Sequence, residues 1–264
     1  MKIATWNVNS IRARLPVVTG WVEANRPDVL LFQELKCETA VFPRESFEAL
    51  GYEAAVLGQK AYNGVALLAR RPLEISDILE GLPGEESDAQ ARYLEATVGG
   101  IRVASLYLPN GNPVDTDKYP YKLRWLARLR ARAAALLATE RPFVLGGDYN
   151  VIPEPEDVYS PDDWREDALF RLETRLAWRA LVNLGLTEAY RALHPHRAGQ
   201  APAYSFWDYQ AGCWPRNQGL RIDHFLLSPV AADRLVACTI DSRPRGLDKA
   251  SDHVPVVVEL NYSP

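Results

Sequence analysis

Acid, amide, phenol and imidazole side chains recur where apolar runs begin or end. Ile3-Ala4-Thr5-Trp6 runs into Asn7, and Val29-Leu30-Leu31-Phe32 runs into Gln33-Glu34. The run at 103–106 meets Tyr107 and then Pro109-Asn110-Gly111. Phe143-Val144-Leu145-Gly146-Gly147 leads to Asp148-Tyr149-Asn150, while Arg221-Ile222-Asp223-His224 and Ser251-Asp252-His253 open two further runs. Taken singly, Asp223 and Asp252 read as turn or cap residues, and His253 as a satisfied structural histidine. Gathered on one rim, the same residues have a definite chemistry. The carboxylates of Glu34, Asp148, Asp223 and Asp252 would repel and raise one another's pKa unless a cation sat among them. Hard oxygen ligands favour Mg²⁺ or Mn²⁺ over zinc. Asn7, Asn150 and His253 add donors for the non-bridging oxygens of a phosphate, with Tyr107 on the same rim. A carboxylate beside an imidazole orients it and keeps it protonated. Such a set suits metal-assisted attack of water on a phosphoester. There is no GxSxG and no evident Cys–His pair for a covalent route.

The elements that must carry these residues follow from the apolar pattern. Strands are expected over 3–6, 29–32, 65–69, 103–108, 143–145, 222–227 and 254–260. They are rich in Val, Ile, Leu and aromatics, and Gly, Pro, Asn or Asp bounds them. Helices are expected over 16–25, 121–139 and 173–184, the first stopped by Pro27 and the last closed by Gly185. Strict βαβ alternation is missing, which points to packed sheets with outer helices rather than a barrel or a Rossmann fold. Arg124, Arg128 and Arg132 lie opposite the apolar stripe of the long helix, where a solvated outer face is expected rather than a DNA contact. Breaks fall at 81–91, 110–120, 153–167 and 194–202; each is short enough to be a loop. One domain over 1–264 is therefore expected.

Composition sets the outer limits. Of 264 residues, 47% are apolar and 24% charged, which is ordinary for a globular chain. Lys and Arg total 30 against 34 Asp and Glu, a net charge of −4, so no global field draws a polyanion to the chain. The cysteines, Cys37, Cys213 and Cys238, are odd in number and widely spaced. That excludes a disulfide framework or a zinc site and fits a reducing compartment. Met1 leads at once into an expected strand, and no apolar run approaches a membrane span. A soluble cytoplasmic protein is expected, with no membrane partner.

The motifs as a set resemble the exonuclease III family of DNA-repair nucleases, within the endonuclease/exonuclease/phosphatase superfamily. The resemblance is carried by Thr5-Trp6-Asn7-Val8-Asn9-Ser10-Ile11-Arg12-Ala13, Leu31-Phe32-Gln33-Glu34-Leu35-Lys36, Tyr62-Asn63-Gly64-Val65-Ala66 and Tyr107-Leu108-Pro109-Asn110-Gly111. It continues in Gly147-Asp148-Tyr149-Asn150-Val151, Tyr204-Ser205-Phe206-Trp207-Asp208-Tyr209, Gly219-Leu220-Arg221-Ile222-Asp223-His224 and Ser251-Asp252-His253-Val254-Pro255. These stand in the family's order along almost the whole chain. The resemblance implies an α+β fold, a four-layer α/β/β/α sandwich of two packed mixed sheets with outer helices. It implies Mg²⁺- or Mn²⁺-dependent cleavage of double-stranded DNA at abasic sites and removal of nucleotides from 3′ ends, with 3′-phosphatase activity, by a monomer. By position, Glu34 is the main metal ligand, with Asn7 and Asp252 beside the metal and Asp148 and Asn150 next to it. Asp148 activates water, Asn150 and Tyr107 hold water and phosphate, and His253, oriented by Asp223, offsets charge on the phosphate. Substrate contacts are expected from Asn7, Asn110, Gln210 and Trp207, with Trp214 and Arg216 near the DNA face. Phe206, Leu220 and Ile222 are expected to form an apolar pocket for a flipped-out abasic sugar. The aromatics beside Arg216, Asn217 and Arg221 point this stretch toward DNA.

Some residues depart from the family pattern: Leu35 where Thr is common, Asn9 where some relatives carry an acid, and Phe206 before Trp207 where two tryptophans are frequent. His194 and His196 are expected at the surface, and His224 within its strand. Two other classes stay open at this point: a hydrolase of the same superfamily acting on RNA, a phospholipid or an inositol phosphate, and a non-catalytic binding module on the same scaffold.

Overall fold

Two six-stranded mixed sheets stack face to face in the computed structural model, which describes residues 1–197, 199 and 201–262. Positions 198 and 200 of the expected break at 194–202, and the last two residues of the expected domain, lie outside the described residues. The first sheet contains β1 (Lys2–Asn7), β2 (Val29–Gln33), β3 (Tyr52–Leu57), β4 (Val65–Arg70), β11 (Leu235–Ile240) and β12 (Val256–Leu260), in the order β11-β12-β1-β2-β4-β3. The second contains β5 (Ile75–Glu80), β6 (Tyr93–Val98), β7 (Ile101–Tyr107), β8 (Phe143–Asp148), β9 (Thr187–Glu188) and β10 (Asp223–Leu227), in the order β5-β6-β7-β8-β10-β9. The helices are α1 (Leu15–Asn25), α2 (Arg44–Glu48), α3 (Lys118–Leu137), α4 (Pro161–Trp164), α5 (Leu172–Val182), α6 (Ala189–Leu193) and α7 (Pro229–Ala232).

The central strands are apolar on both faces because both faces are covered. Ile3, Leu31 and Leu67 point into the layer between the sheets, against Leu94, Val103, Val144 and Phe225. Their neighbours Ala4, Trp6, Leu30 and Phe32 point the other way, onto Val18, Trp21 and Val22 of α1. On the far side, Leu106 and Leu145 pack under Trp125, Leu126 and Leu129 of α3 and Trp178 of α5. The result is the four-layer α/β/β/α sandwich.

Within each sheet one parallel pair, β1 with β2 and β7 with β8, sends both strand ends to the same edge. Asn7 pairs with Gln33 at that edge, and Tyr107 pairs with Asp148. β10 runs antiparallel to β8, so its first residue, Asp223, sits opposite Asp148. A Cβ on Gly147 would lie 1.9 Å from the Leu106 carbonyl oxygen. Glycine there lets β7 and β8 close up directly beneath the acidic end.

The arginine ladder of α3 corrects the expectation of a solvated face. Arg128 donates to Asp88 and Glu85, and Arg132 donates to the buried Glu95. Only Arg124 of the three stays exposed. These residues fasten α3 to the β5–β6 side of its sheet.

Candidate active site

The strand ends converge. Asn7, at the tip of β1, donates through Nδ2 to Glu34 Oε1 at 2.8 Å and to Asp148 Oδ2 at 2.9 Å, tying one carboxylate from each sheet to a single amide. Tyr107 donates to the same Glu34 oxygen at 2.9 Å. Lys36 lies 3.0 Å from the other.

Local backbone chemistry aims these groups. Glu34 follows β2 in the left-handed region, at φ 51°, and Asn150 follows β8 at φ 47°. Asn tolerates this conformation; for Glu it costs on the order of 1 kcal/mol. Backbone bonds hold Glu34 in place: Ser10 N–H donates to its carbonyl, and Leu35 and Lys36 N–H donate to Gly64 and Asn63. The Asn63-Gly64 motif therefore acts as the shelf beneath Glu34. Asp148 Oδ1 accepts the Asn150 N–H at 2.9 Å.

His253 reaches the site from the segment before β12. Its carbonyl accepts the Trp6 indole N–H, and Ser251 Oγ donates to the Asn7 carbonyl, which pins this segment to β1. The ring Nδ1 lies 2.9 Å from Asp223 Oδ2, and Nε2 lies 3.7 Å from Asp148 Oδ2. Ser205 donates to the same Asp223 oxygen at 2.6 Å. Burial opposes a charge on His253, but Asp223 and Asp148 outweigh it and push the ring up to about 10. His253 is thus an imidazolium at neutral pH, a donor with no lone pair for a metal.

The carboxylates differ in kind. Burial works against a charge on Glu34, yet Lys36, Asn7 and His253 hold its carboxyl below the ordinary range. Burial raises Asp148; His253 opposes that rise and Asp223 reinforces it. Tyr107 is raised well above the ordinary phenol value by burial and by Glu34 and Asp148, so it keeps its proton. One Glu34 oxygen, one Asp148 oxygen and a His253 nitrogen all lie within 4.8 Å of one another. An anionic carboxylate beside a buried, destabilised one is a donor set that a hard divalent cation fits.

The other residues expected beside the metal, Asn7, Asn150 and Asp252, stand at the same site with their polar atoms bonded within the protein. Asn7 turns its nitrogen to the acids, while its oxygen accepts the Asn9 N–H. Both polar atoms of the Asn150 side chain are engaged, donating to the Leu108 carbonyl and accepting from Asn110. Asp252 is held by Asn9 at 3.0 Å, and Lys36 donates to the oxygen of the same Asn9.

A cleft of about 490 Å³ opens over these groups. Glu34, Tyr107, Asn110, Asp148, Asn150, Asp252 and His253 line it, with Phe206, Gln210, Leu220 and Ile222 on one side. The Phe206 ring meets His253 edge-on, with centroids 4.9 Å apart. Asn7 and Asp223 stand behind the lining, buried. Residues not anticipated also line it: Asn112, Tyr159, Trp164, Asp167 and Leu169, of which Trp164 and Leu169 pack in one cluster with Phe206, Leu220 and Ile222. Their stretch carries no periodic signal in sequence.

Two placements correct the expectation for the aromatic stretch. Trp207 does not face the cleft; it is buried against Trp214, Tyr204 and Val254, with its indole N–H on Asn217. Arg221 is 1% exposed and binds Asp157 and Glu188 through its guanidinium, so it cannot meet DNA. His224 is buried as expected, between Arg221 and the Val151 carbonyl. His194 is half-buried rather than surface-exposed and bonds the Cys238 carbonyl; His196 is exposed. No helix among the described residues is long and apolar enough to cross a membrane.

Comparison with known proteins agrees with this geometry. Residues 4–253 match the model of the endonuclease/exonuclease/phosphatase family. The chain is 33% identical to exodeoxyribonuclease III of Haemophilus influenzae, covering 98% of this chain and 100% of that one. An AP endonuclease structure from Archaeoglobus fulgidus superposes with a TM-score of 0.93 at 39% identity, covering 99% and 100% of the two chains. A 3′ phosphatase from Neisseria, solved bound to a product DNA hairpin, superposes with a TM-score of 0.94 at 38% identity, again over 99% and 100%. Fold, motif order and full-length similarity lead to one conclusion: the chain belongs to the endonuclease/exonuclease/phosphatase family, in its exonuclease III branch.

Proposed function

We propose that this chain is a DNA-repair phosphodiesterase. It hydrolyses duplex DNA at abasic sites and removes nucleotides and phosphates from 3′ ends, using Mg²⁺ or Mn²⁺. It works as a monomeric single domain in the cytoplasm. One observation carries the reading: an acidic pair drawn from both sheets, Glu34 and Asp148, faces a charged His253 held by Asp223, next to an apolar pocket.

Glu34 and Asp148 would hold the divalent ion, with Asp252 nearby; when bound, the ion neutralises charge on the phosphate. Asp148 accepts the proton of the attacking water. His253 donates from Nε2 to a phosphate oxygen, where negative charge grows in the transition state. Asp223 keeps that ring charged and oriented through Nδ1. Tyr107, still protonated, holds the Glu34 carboxylate through its O–H, and Asn110 provides a further N–H donor. Phe206, Leu220 and Ile222 receive the extruded sugar, which is cheapest to extrude where base pairing is already lost. Gln210, exposed on the rim, reaches toward the duplex.

The test is an end-labelled duplex carrying a single abasic analogue, assayed with Mg²⁺ and with EDTA. Undamaged duplex and a DNA–RNA hybrid serve as comparisons. Chelator-sensitive nicking at the abasic position supports the reading. Cutting confined to RNA, or duplex binding with no cutting, overturns it.

A further inference from the structure

Lys122 is fully buried on α3, directly beneath the cleft. Its ammonium meets no carboxylate within ion-pair distance among the described residues. Instead it donates to the Asn110 carbonyl at 3.0 Å and to the Asn150 carbonyl. These carbonyls belong to the loops that follow β7 and β8, and both asparagines line the cleft. Above the lysine the two side chains meet, Asn110 Nδ2 donating to Asn150 Oδ1 at 3.2 Å. The lysine's passage is built into the loop: a Cβ on Gly111 would lie 2.7 Å from Lys122 Cδ and 3.0 Å from the Ala168 Cβ. Gly111, at φ 93°, leaves that channel open.

We propose that Lys122 is a positioning residue, a clamp that sets the spacing of Asn110 and Asn150 from below and thereby fixes the phosphate-facing edge of the cleft. It touches no substrate. α3 elsewhere buries Trp125, Leu126 and Leu129 in an apolar layer, and methionine would fill a similar volume; at this position the nitrogen answers the two carbonyls, while Asp167 and Asp148, beyond ion-pair distance, favour its charge. The clamp works through donation to two carbonyls, so amine and ammonium serve alike. Without it both buried carbonyls lose a partner, and the loops relax. A displacement on the order of 1 Å at a reacting centre costs roughly 10²-fold in rate.

The inference rests on the phosphodiesterase reading of the cleft, and one experiment separates the two. Wild type, Lys122→Met and Lys122→Gln are assayed on the abasic duplex with Mg²⁺, rates being normalised to the folded fraction from near-UV circular dichroism. If wild type does not cut, the phosphodiesterase reading fails, whatever the variants do. Given a cutting wild type, Lys122→Met should lose about 10²-fold in kcat with KM within about threefold. Lys122→Gln, which keeps an N–H donor on a shorter stem, should fall between. A Lys122→Met kcat within twofold of wild type overturns the clamp. So does an effect confined to KM, or unfolding of both variants, which would make Lys122 part of the core scaffold only.

Discussion

His253 Nδ1 sits 2.9 Å from Asp223 Oδ2, and this bond joins the two sheets: Asp223 opens β10 in one, and His253 stands just before β12 in the other. The acid is the ring's strongest support, with Asp148 and the adjacent Asp252 adding to it. It keeps the imidazolium charged and turned toward Asp148.

That relationship sets a pH dependence. A ring pushed up to about 10 is charged below that pH and neutral above it. Nuclease turnover should hold through the mildly alkaline range and fall as pH rises through about 10. In Asp223→Asn the main support for the charge is gone, so the alkaline limb should move to lower pH, with kcat at neutral pH down about 10²-fold or more. A kcat–pH profile on the abasic duplex checks both. An unmoved limb would detach Asp223 from His253.

Asp148→Asn should leave DNA affinity nearly intact and lower kcat by about 10²-fold or more, the range for a positioned base. Fluorescence anisotropy and single-turnover cleavage together read the split. Equal losses in affinity and rate would give Asp148 a structural role.

Glu34→Gln should raise the Mg²⁺ concentration needed for half-maximal activity by at least about tenfold. A metal titration of cleavage measures it. Wild-type activity at both low and saturating Mg²⁺ would remove Glu34 from the metal site.

Phe206→Ala should reduce abasic-site cleavage more than removal of a terminal 3′ phosphate, since only the former needs the apolar pocket. Parallel assays on the two substrates decide it. Equal losses would count against the pocket assignment.

The network around Arg221 predicts stability rather than rate. Burial opposes ionisation of Asp157 and Glu188, but Arg221 outweighs it, aided by Arg191 at Asp157 and His224 at Glu188, and lowers both to about 2. Carboxylates depressed in the folded state stabilise it above their ordinary values, and that stabilisation is lost as pH falls. Tm should therefore be flat near neutrality and drop between about pH 4.5 and 2. Asp157→Asn leaves Arg221 underpaired in the core and should cost about 3–5 kcal/mol in denaturant unfolding. A change under about 1 kcal/mol would show that Glu188 alone suffices.

The central strands were legible because burial on both faces writes a continuous apolar run. β5, β11 and β3 were not: they lie at the sheet edges, where burial is partial and no long, continuous run of bulky apolar residues is needed. β6 was masked differently, because its buried Glu95 reads as a surface residue until Arg102 and Arg132 are seen to bind it. In the site, the strand-end residues could be found because each followed a recognisable run. The lining residues Tyr159, Trp164 and Leu169 could not, because their segment holds only the one-turn helix α4 and shows no apolar period. Arg221 misled for a related reason. Its neighbours looked like a DNA face, while its partners lie 64 and 33 residues away.

Because β1 pairs with β12, and the Ser251 hydroxyl grips the Asn7 carbonyl, the cleft draws on the first strand and the last together. A growing chain on the ribosome cannot assemble this pocket until His253 has emerged. Cleavage ability should then switch on in one late step rather than build up gradually during translation.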